Sequence, residues 1–167
     1  FRREDGVSPA RRVDIGAGGL DVAAAARAQL ALFTTGSEFR AARPAAGGQP
    51  RSLNLPGLLH ENCFERCSLS RTLRDLGFGG AWRAEVVLEG GQATISPAEF
   101  EIGSGASKSL RVDIDLRGFG SLGQWLSGEL RLQRVDGSAQ MRLPLGVFAS
   151  PGNLPTRLSS EVGSDVG

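Results

Sequence analysis

The sequence predicts an all-β fold, a sandwich of two sheets with about seven to eight strands and a short helix near the N-terminus. Apolar and polar residues alternate with a period of two through most of residues 53–148, which is typical of strands that bury one face. Turn-forming residues separate these segments at about the 8–12-residue spacing of a sandwich. An alanine-rich stretch before them favours a helix.

The strands differ in how clearly they alternate. Trp82 opens one of the clearest segments and is predicted to face inward, whereas the pattern leaves the orientation of Trp125 open. Asp136 and Gly137 form a dipeptide that favours a tight hairpin between the last two strands. The clearest segments are 82–88, 110–117, 126–132 and 141–147, and further strands are predicted near Leu53 and at 69–74, 93–95 and 100–102.

The N-terminal helix is predicted to run from Val22 to Leu32, with Asp21 as its cap. One face of this helix would carry only apolar residues, and one short helix of this kind cannot form a core. We therefore expect the face to dock onto another domain or to mediate self-association. Its residues are Val22, Ala26, Leu30 and Phe33.

Composition narrows the classes of function. The chain has 167 residues, 40% of them apolar, which is enough for the core of one main domain. The net charge of +1 gives no electrostatic reason to expect nucleic acid or an anionic membrane as a partner. No apolar run approaches the roughly 20 residues of a membrane-spanning helix. Neither an initiating methionine nor a signal peptide opens the sequence, so we expect a fragment of a longer protein.

Several short motifs occur in an order that resembles the end of a subtilisin-like serine protease. The turn Gly16-Ala17-Gly18 leads into Asp21–Ala25, and Leu53-Asn54-Leu55-Pro56 follows. In that family such motifs close the catalytic core and open a C-terminal fibronectin type III-like domain. Later motifs in the same order are 70–74, Ile95-Ser96-Pro97 and Trp125–Gly128. Two departures are Gly57 in place of a serine and the complete lack of tyrosine.

The resemblance implies four regions: a remnant of the catalytic domain at 1–35, a linker at 36–51, a fibronectin type III-like sandwich at 52–150 and an exit linker at 151–167. The implied role is that of a non-catalytic accessory domain of a secreted endopeptidase, supporting the stability or substrate access of its catalytic domain, which would be its partner. The alternative is an independent binding module for a surface polysaccharide or protein, which exposed aromatic residues would favour.

The sequence lacks the residues for serine protease catalysis. His60 is the single histidine and hence the only candidate base, and it is predicted to lie in a loop without a catalytic role. The family's nucleophile motif is absent, and its three catalytic residues would all precede Asp21. We therefore expect no catalytic residues, cofactor or metal site in this chain, and an independent hydrolase is the weakest interpretation.

The only two cysteines, Cys63 and Cys67, are four residues apart. They can be bridged if the backbone turns, and the export implied by the resemblance favours a disulfide. Free thiols are one alternative. The other is a metal site of His60 and both cysteines with Glu61 or Glu65, although it lacks the paired spacing of structural zinc sites.

Two other patterns have structural explanations. The glycines at 16–19 and the segment 103–107 are interpreted as turns, since neither has the context of a phosphate-binding loop or a nucleophile elbow. Asp113 and Asp115 share one strand face with Arg111 and Arg117. This arrangement favours a solvated, mutually paired face over a calcium site or a catalytic carboxylate pair.

Overall fold

The computed structural model describes residues 22–152, which form a β-sandwich of two sheets with a short helix at its N-terminal side. Nine strands are present in these residues, arranged in a sheet of four and a sheet of five. The strands are β1 (Leu30–Leu32), β2 (Leu58–Cys63), β3 (Arg66–Asp75), β4 (Gly80–Leu88), β5 (Gln92–Ser96), β6 (Glu99–Ile102), β7 (Ser107–Asp115), β8 (Trp125–Arg134) and β9 (Gln140–Ala149).

The strand order is β1-β3-β7-β5 in one sheet and β2-β9-β8-β4-β6 in the other. All neighbours are antiparallel except β2 and β9, which run parallel with Leu58 opposite Leu145. The inward faces of both sheets supply one continuous core. Strands such as β3, β4 and β7 bury alternate residues, whereas β8 buries five residues in succession, Leu126–Leu130. Trp82 lies in the centre of this core with Leu73, Leu130 and Leu145, all of them almost completely buried.

The alternation predicted most of these strands correctly. The segments 69–74, 82–88, 93–95, 100–102, 110–117, 126–132 and 141–147 all correspond to β3 to β9. Trp82 faces inward, as predicted, and Asp136 and Gly137 form the turn of the β8–β9 hairpin. The predicted strand near Leu53 is wrong: Leu53 follows a 3₁₀ turn, and the strand begins five residues later at Leu58.

The predicted helix from Val22 to Leu32 is also wrong. The helix α1 covers only Val22–Ala25, and Leu30–Leu32 is instead the edge strand β1, paired with Leu73–Asp75 of β3. Helix propensity loses here to tertiary contacts, because Leu30 enters the core and is almost completely buried in strand β1. The predicted cap Asp21 lies outside the described residues.

The segment between β1 and β2 lies along the open edge of β3. It contains the helix α2 (Gly36–Ala41) and two 3₁₀ turns, Pro44–Ala46 and Pro50–Ser52. The N-terminus of α2 is fixed by a capping box, in which Thr35 and Glu38 each bond the other's backbone N–H. The hydrogen bonds also hold the pKa of Glu38 below its ordinary value.

Asn54 fixes the end of this segment to the sheet. Its side-chain oxygen accepts from the backbone N–H of Thr72 at 2.8 Å, and its amide donates to the carbonyl of Thr72 at 2.8 Å and to that of Phe33 at 3.2 Å. The side chain thus makes the two bonds that a paired strand residue would make, just where β1 ends. The asparagine of the Leu-Asn-Leu-Pro motif therefore extends the sheet edge by one residue.

Arg71 provides a second attachment. Its guanidinium is almost completely buried and donates to the carbonyls of Leu55 and Gly57 at 2.7 and 2.5 Å. Burial lowers the pKa of Arg71 from its ordinary value, but the bonds to several carbonyls compensate for desolvation.

Candidate functional site: the two ends of the sandwich

The chain enters the sandwich at one end and leaves it at the other. The entry end comprises Gln29 and the loops 76–79, 103–106 and 135–139, and the carbonyl of Gln29 accepts from the N–H of Leu76 at 2.9 Å. The exit end comprises the loops 64–65, 89–91 and 116–124 together with Ser150, whose N–H donates to the carbonyl of Cys63 at 2.9 Å. The ten residues of β3 run from the exit end to the entry end.

A buried carboxylate organises the entry end. Asp75 is only 2% exposed, and its oxygens accept from the backbone N–H groups of Gly77 at 2.7 Å, Gly79 at 3.0 Å and Gly105 at 3.1 Å. One side chain therefore joins the β3–β4 loop to the β6–β7 turn. Gly79 and Gly105 have φ angles of 61° and 67°, which favour glycine and bring these N–H groups to the carboxylate.

These bonds decide the charge state of Asp75. Burial raises the pKa of its carboxyl, but the N–H donors of Gly79, Gly105, Gly77 and Phe78 together outweigh burial and lower the pKa below the ordinary value. Asp75 is therefore ionised at neutral pH. Because the folded-state pKa is the lower one, the stability that Asp75 contributes is present above about pH 4 and is lost as the pH falls through the folded-state value.

The loop that Asp75 holds carries exposed apolar side chains. We define the entry surface as Leu76, Phe78 and Val135, which are 44%, 58% and 65% exposed. Leu76 and Phe78 flank Gly77 in the loop bonded to Asp75, and Val135 follows β8, where its N–H donates to the carbonyl of Ala81 at 2.9 Å. Large apolar groups on a fixed backbone are typical of surfaces that bind another protein.

The exit end also carries apolar residues, but a covalent bond and backbone hydrogen bonds hold it. We define the exit surface as Phe64, Phe119, Leu122 and Trp125, all of which are exposed. Trp125, whose orientation the sequence left open, faces outward and packs against Phe148 with the ring centroids 5.5 Å apart. Loop 116–124 is tied to β9 by the N–H of Gly123, which donates to the carbonyl of Ala149 at 2.7 Å.

The predicted disulfide is present. Cys63 at the end of β2 and Cys67 near the start of β3 are joined, with their Cα atoms 5.4 Å apart. The turn between them places Glu65 at a φ of 54°, a conformation that few side chains adopt. Of the three alternatives, free thiols are therefore wrong, and in this oxidised form the sulfurs are not available to a metal.

The prediction of a loop histidine is wrong, because His60 lies within β2. Its side chain points into the sandwich and is almost completely buried, since the parallel pairing places His60 opposite the core residue Val147. Nδ1 accepts from the N–H of Asn62 at 3.4 Å. Burial, assisted by the charge of Arg51, lowers the pKa of His60 below its ordinary value, so the imidazole is neutral at neutral pH.

Asp113 and Asp115 are paired with arginines, as predicted. Arg111 bonds Asp113 at 2.7 Å, and Asp115 bonds both Arg117 and Arg66. The carboxylates lie beside a groove of about 560 Å³ on the outer face of the four-stranded sheet. The pairing satisfies these charges without a cation.

The four predicted docking residues do not share a face. Leu30 is buried in the core, whereas Val22, Ala26 and Phe33 are exposed. The guanidinium of Arg74 lies 5.8 Å from the ring of Phe33, at the rim of a groove of about 840 Å³ between segment 33–54 and the outer face of β3. A docking role for these residues stays a prediction, but a single apolar helix face cannot be its basis.

Sequence reasoning missed the entry surface and Asp75. The available signal was the run Asp75-Leu-Gly-Phe-Gly-Gly80, an aspartate followed by glycines that can bring backbone N–H groups to a carboxylate. The role of Asn54 was also missed, although its motif was recognised. The distances that define both roles join residues far apart in sequence, Asp75 to Gly105 and Asn54 to Thr72.

No protein-family model matches the chain, and no curated protein matches its sequence. Solved structures match at low similarity. The Escherichia coli chaperone DraB has 12% identity and a TM-score of 0.46, over 57% of this chain and 53% of its own. The PapD-like domain 7 of human CEP192 has 9% identity and a TM-score of 0.43, over 59% of this chain and 83% of its own.

The secreted serine protease VesC from Vibrio cholerae matches with 13% identity and a TM-score of 0.39, over 53% of this chain and 21% of its own. This chain therefore spans about half of the chaperone and about a fifth of the protease. In the part of the chain that the structure describes, no helix is long and apolar enough to cross a membrane. These low-similarity matches concern the fold alone and assign no role to this chain.

Proposed function

We propose that this chain is a non-catalytic accessory domain of a secreted subtilisin-like serine endopeptidase, and that its entry surface packs against the catalytic domain upstream in the same polypeptide. The domain would support the stability of the catalytic domain or the access of substrates to it. The sequence resemblance suggests the partner, and the exposed apolar side chains at the entry end support this end as the place of contact.

One observation carries the proposal. Leu76, Phe78 and Val135 are exposed at the end of the sandwich where the chain enters. Buried Asp75 and the hydrogen bond to Gln29 hold the loop of Leu76 and Phe78, and the N–H of Val135 is bonded to the carbonyl of Ala81. A domain that precedes residue 22 would lie nearest to this end. Packing against it would remove these apolar side chains from water, which is favourable by about 25 cal/mol for each Å² buried.

The Cys63–Cys67 bridge supports the export in this proposal, because disulfides persist mainly in secreted and periplasmic proteins. The predicted regions 1–35, 36–51, 52–150 and 151–167 are part of the same proposal. It needs one revision: β1 at Leu30–Leu32 is a strand of the four-stranded sheet, so the last part of the first region folds with the sandwich.

The test is to express the chain together with the residues that precede it in its gene. We expect these to contain the aspartate, histidine and serine motifs of the family and to give peptidase activity. The double substitution of Leu76→Ser and Phe78→Ser should then lower the temperature at which activity is lost. In the isolated chain the same substitutions should change the melting temperature little, because both side chains are already exposed.

The matched control is the double substitution of Phe119→Ser and Leu122→Ser at the exit end, which are similarly exposed. It should leave the thermal inactivation of the long protein unchanged. Equal effects of the two double variants would contradict docking through the entry end, and upstream residues without protease motifs would contradict the assignment to this family.

A second candidate function is favoured by the aromatic pair at the exit end. Trp125 is exposed and packs against Phe148, and an exposed aromatic ring is a surface on which a sugar ring can stack. A polysaccharide-binding module should sediment with insoluble chitin or cellulose and lose this with Trp125→Ala. Unchanged sedimentation in the variant, or none in the unmodified chain, argues against this alternative.

A further inference from the structure

The chain has a single histidine and only two cysteines, and all three meet in one place. A nitrogen of His60 and the sulfurs of Cys63 and Cys67 lie within 4.8 Å of one another. These are the side chains that bind zinc most readily. Their convergence at the exit end, where β2 turns into β3, is independent of the entry surface and of the proposed function.

We propose that this cluster is a latent zinc site, closed in the oxidised protein and opened by reduction of the Cys63–Cys67 bond. In a tetrahedral site with Zn–S of about 2.3 Å and Zn–N of about 2.0–2.1 Å, neighbouring ligand atoms are about 3.5–3.8 Å apart. The ligand atoms lie within 4.8 Å of one another, so the imidazole nitrogen has to move by no more than about 1 Å to reach this spacing. The two sulfurs only have to separate after the bond between them is broken.

The chemistry balances with a dithiol as reductant. The dithiol supplies two electrons and two protons, becomes a disulfide itself and leaves Cys63 and Cys67 as thiols. Zn²⁺ then replaces the two thiol protons, which are released, and the neutral imidazole donates its lone pair. The three protein ligands leave one tetrahedral position for water or an external ligand.

The disulfide can be reached from solvent, and the strands that carry the three ligands are held by their neighbours. Cys63 and His60 are buried, but Cys67 is partly exposed and borders the groove of about 560 Å³ that also contains Asp113 and Asp115. A thiolate reductant can therefore reach the sulfur of Cys67 from solvent. Both β2 and β3 are held by neighbouring strands, β9 and β7, that do not depend on the disulfide.

The experiment compares the oxidised and the reduced chain with Zn²⁺ or Co²⁺ alone, after the reductant has been removed without air. The reduced chain should bind one equivalent of metal, give the thiolate charge-transfer and visible bands of four-coordinate Co²⁺, and react more slowly with a thiol reagent when Zn²⁺ is bound. The oxidised chain should do none of these.

His60→Gln tests the imidazole, because it keeps a buried polar side chain but removes the ligand nitrogen. It should weaken Zn²⁺ binding about tenfold or more and shift the Co²⁺ bands, while circular dichroism of the reduced variant stays that of the reduced parent. His60→Asn provides a second variant in case the glutamine disturbs the core.

Three results would overturn the proposal. They are a folded, reduced chain that binds no metal, equal affinity and equal Co²⁺ spectra with and without His60, and loss of the β-sheet signal on reduction alone. The last result counts because the site requires β2 and β3 to stay in place when the sulfurs separate.

Discussion

The two ends of the sandwich present similar apolar side chains but are stabilised by different means. At the entry end, one ionised carboxylate gathers N–H groups from two loops that are 30 residues apart, Asp75 to Gly105. At the exit end, a covalent bond closes a turn of five residues, Cys63 to Cys67, and backbone hydrogen bonds attach the long loop. The stability of the entry end therefore depends on the protonation state of Asp75, and that of the exit end depends on the redox state of Cys63 and Cys67. Both ends nevertheless belong to one core.

The largest effect is expected from Asp75→Asn at the entry end. Asparagine keeps one accepting oxygen but replaces the other by an NH₂ group, which would face either the N–H of Gly79 or those of Gly77 and Gly105. At least one of the three bonds is then lost, and its buried donor is left unpaired. We expect a loss of about 3 kcal/mol in the free energy of unfolding, measured by urea denaturation at pH 7. Asp113→Asn on the exposed sheet face is the matched control and should change it little.

Acid should remove this difference. Because the pKa of Asp75 is lowered in the folded chain, the carboxylate stabilises the fold above about pH 4 and stops doing so as the pH falls through the folded-state pKa. The gap in unfolding free energy between parent and Asp75→Asn should therefore shrink below pH 4. A gap that stays constant between pH 7 and pH 2.5 would show that Asp75 acts through packing alone.

At the exit end, the combined substitution of Cys63→Ala and Cys67→Ala should cost about 2 kcal/mol, because the loop that the disulfide closes is short. Urea denaturation of the double variant against the oxidised parent measures this. Acid should not change the difference, in contrast to Asp75→Asn. A loss larger than that of Asp75→Asn would reverse the ranking of the two ends.

Asn54→Leu tests the edge of β3 between the two ends. The substitution keeps the size of the side chain but removes the bonds to Thr72 and Phe33, so the N–H of Thr72 loses its partner. We expect about 1 to 2 kcal/mol of destabilisation, with faster hydrogen exchange confined to Phe33–Asn54 and Thr72. Unchanged exchange at Thr72 would mean that water replaces the asparagine without loss.

The smallest effect is expected on the open face of the five-stranded sheet. Arg83 and Glu99 form an ion pair at 3.0 Å, with both side chains 69% exposed. Arg83→Ala should change the free energy of unfolding by less than about 0.5 kcal/mol, and added salt should not alter the result measurably. This variant gives the baseline against which the effects at the two ends are judged.

The sequence predicted those parts of the fold that depend on local pattern. Strands β3 to β9 follow from alternation, because each buries one face in the core, and Trp82 was placed correctly for the same reason. The N-terminal helix was wrong because Leu30 gains more from pairing with Asp75 in β1 than the alanine-rich stretch gains from a longer helix.

The candidate surfaces were less predictable because they depend on contacts between distant residues. The alternation of apolar and polar residues near 53–60 does not show where the strand begins. The strand was therefore predicted near Leu53, which left His60 in a loop, whereas β2 begins at Leu58 and includes His60. The disulfide was predicted because two cysteines four residues apart can be bridged and the export implied by the resemblance favours the bond. The role of Asp75 could not be predicted in this way, because its partner Gly105 lies in another loop.

The opposite positions of entry and exit have a mechanical consequence. β1 continues from the segment that enters at one end, and β9 runs out to Ala149 at the other. Tension between the two termini would therefore pull β1 along β3, and β9 along β2 and β8, parallel to the strand axes. Hydrogen bonds across each pair would share such a load instead of opening one after another, so the sandwich would extend little before it yields.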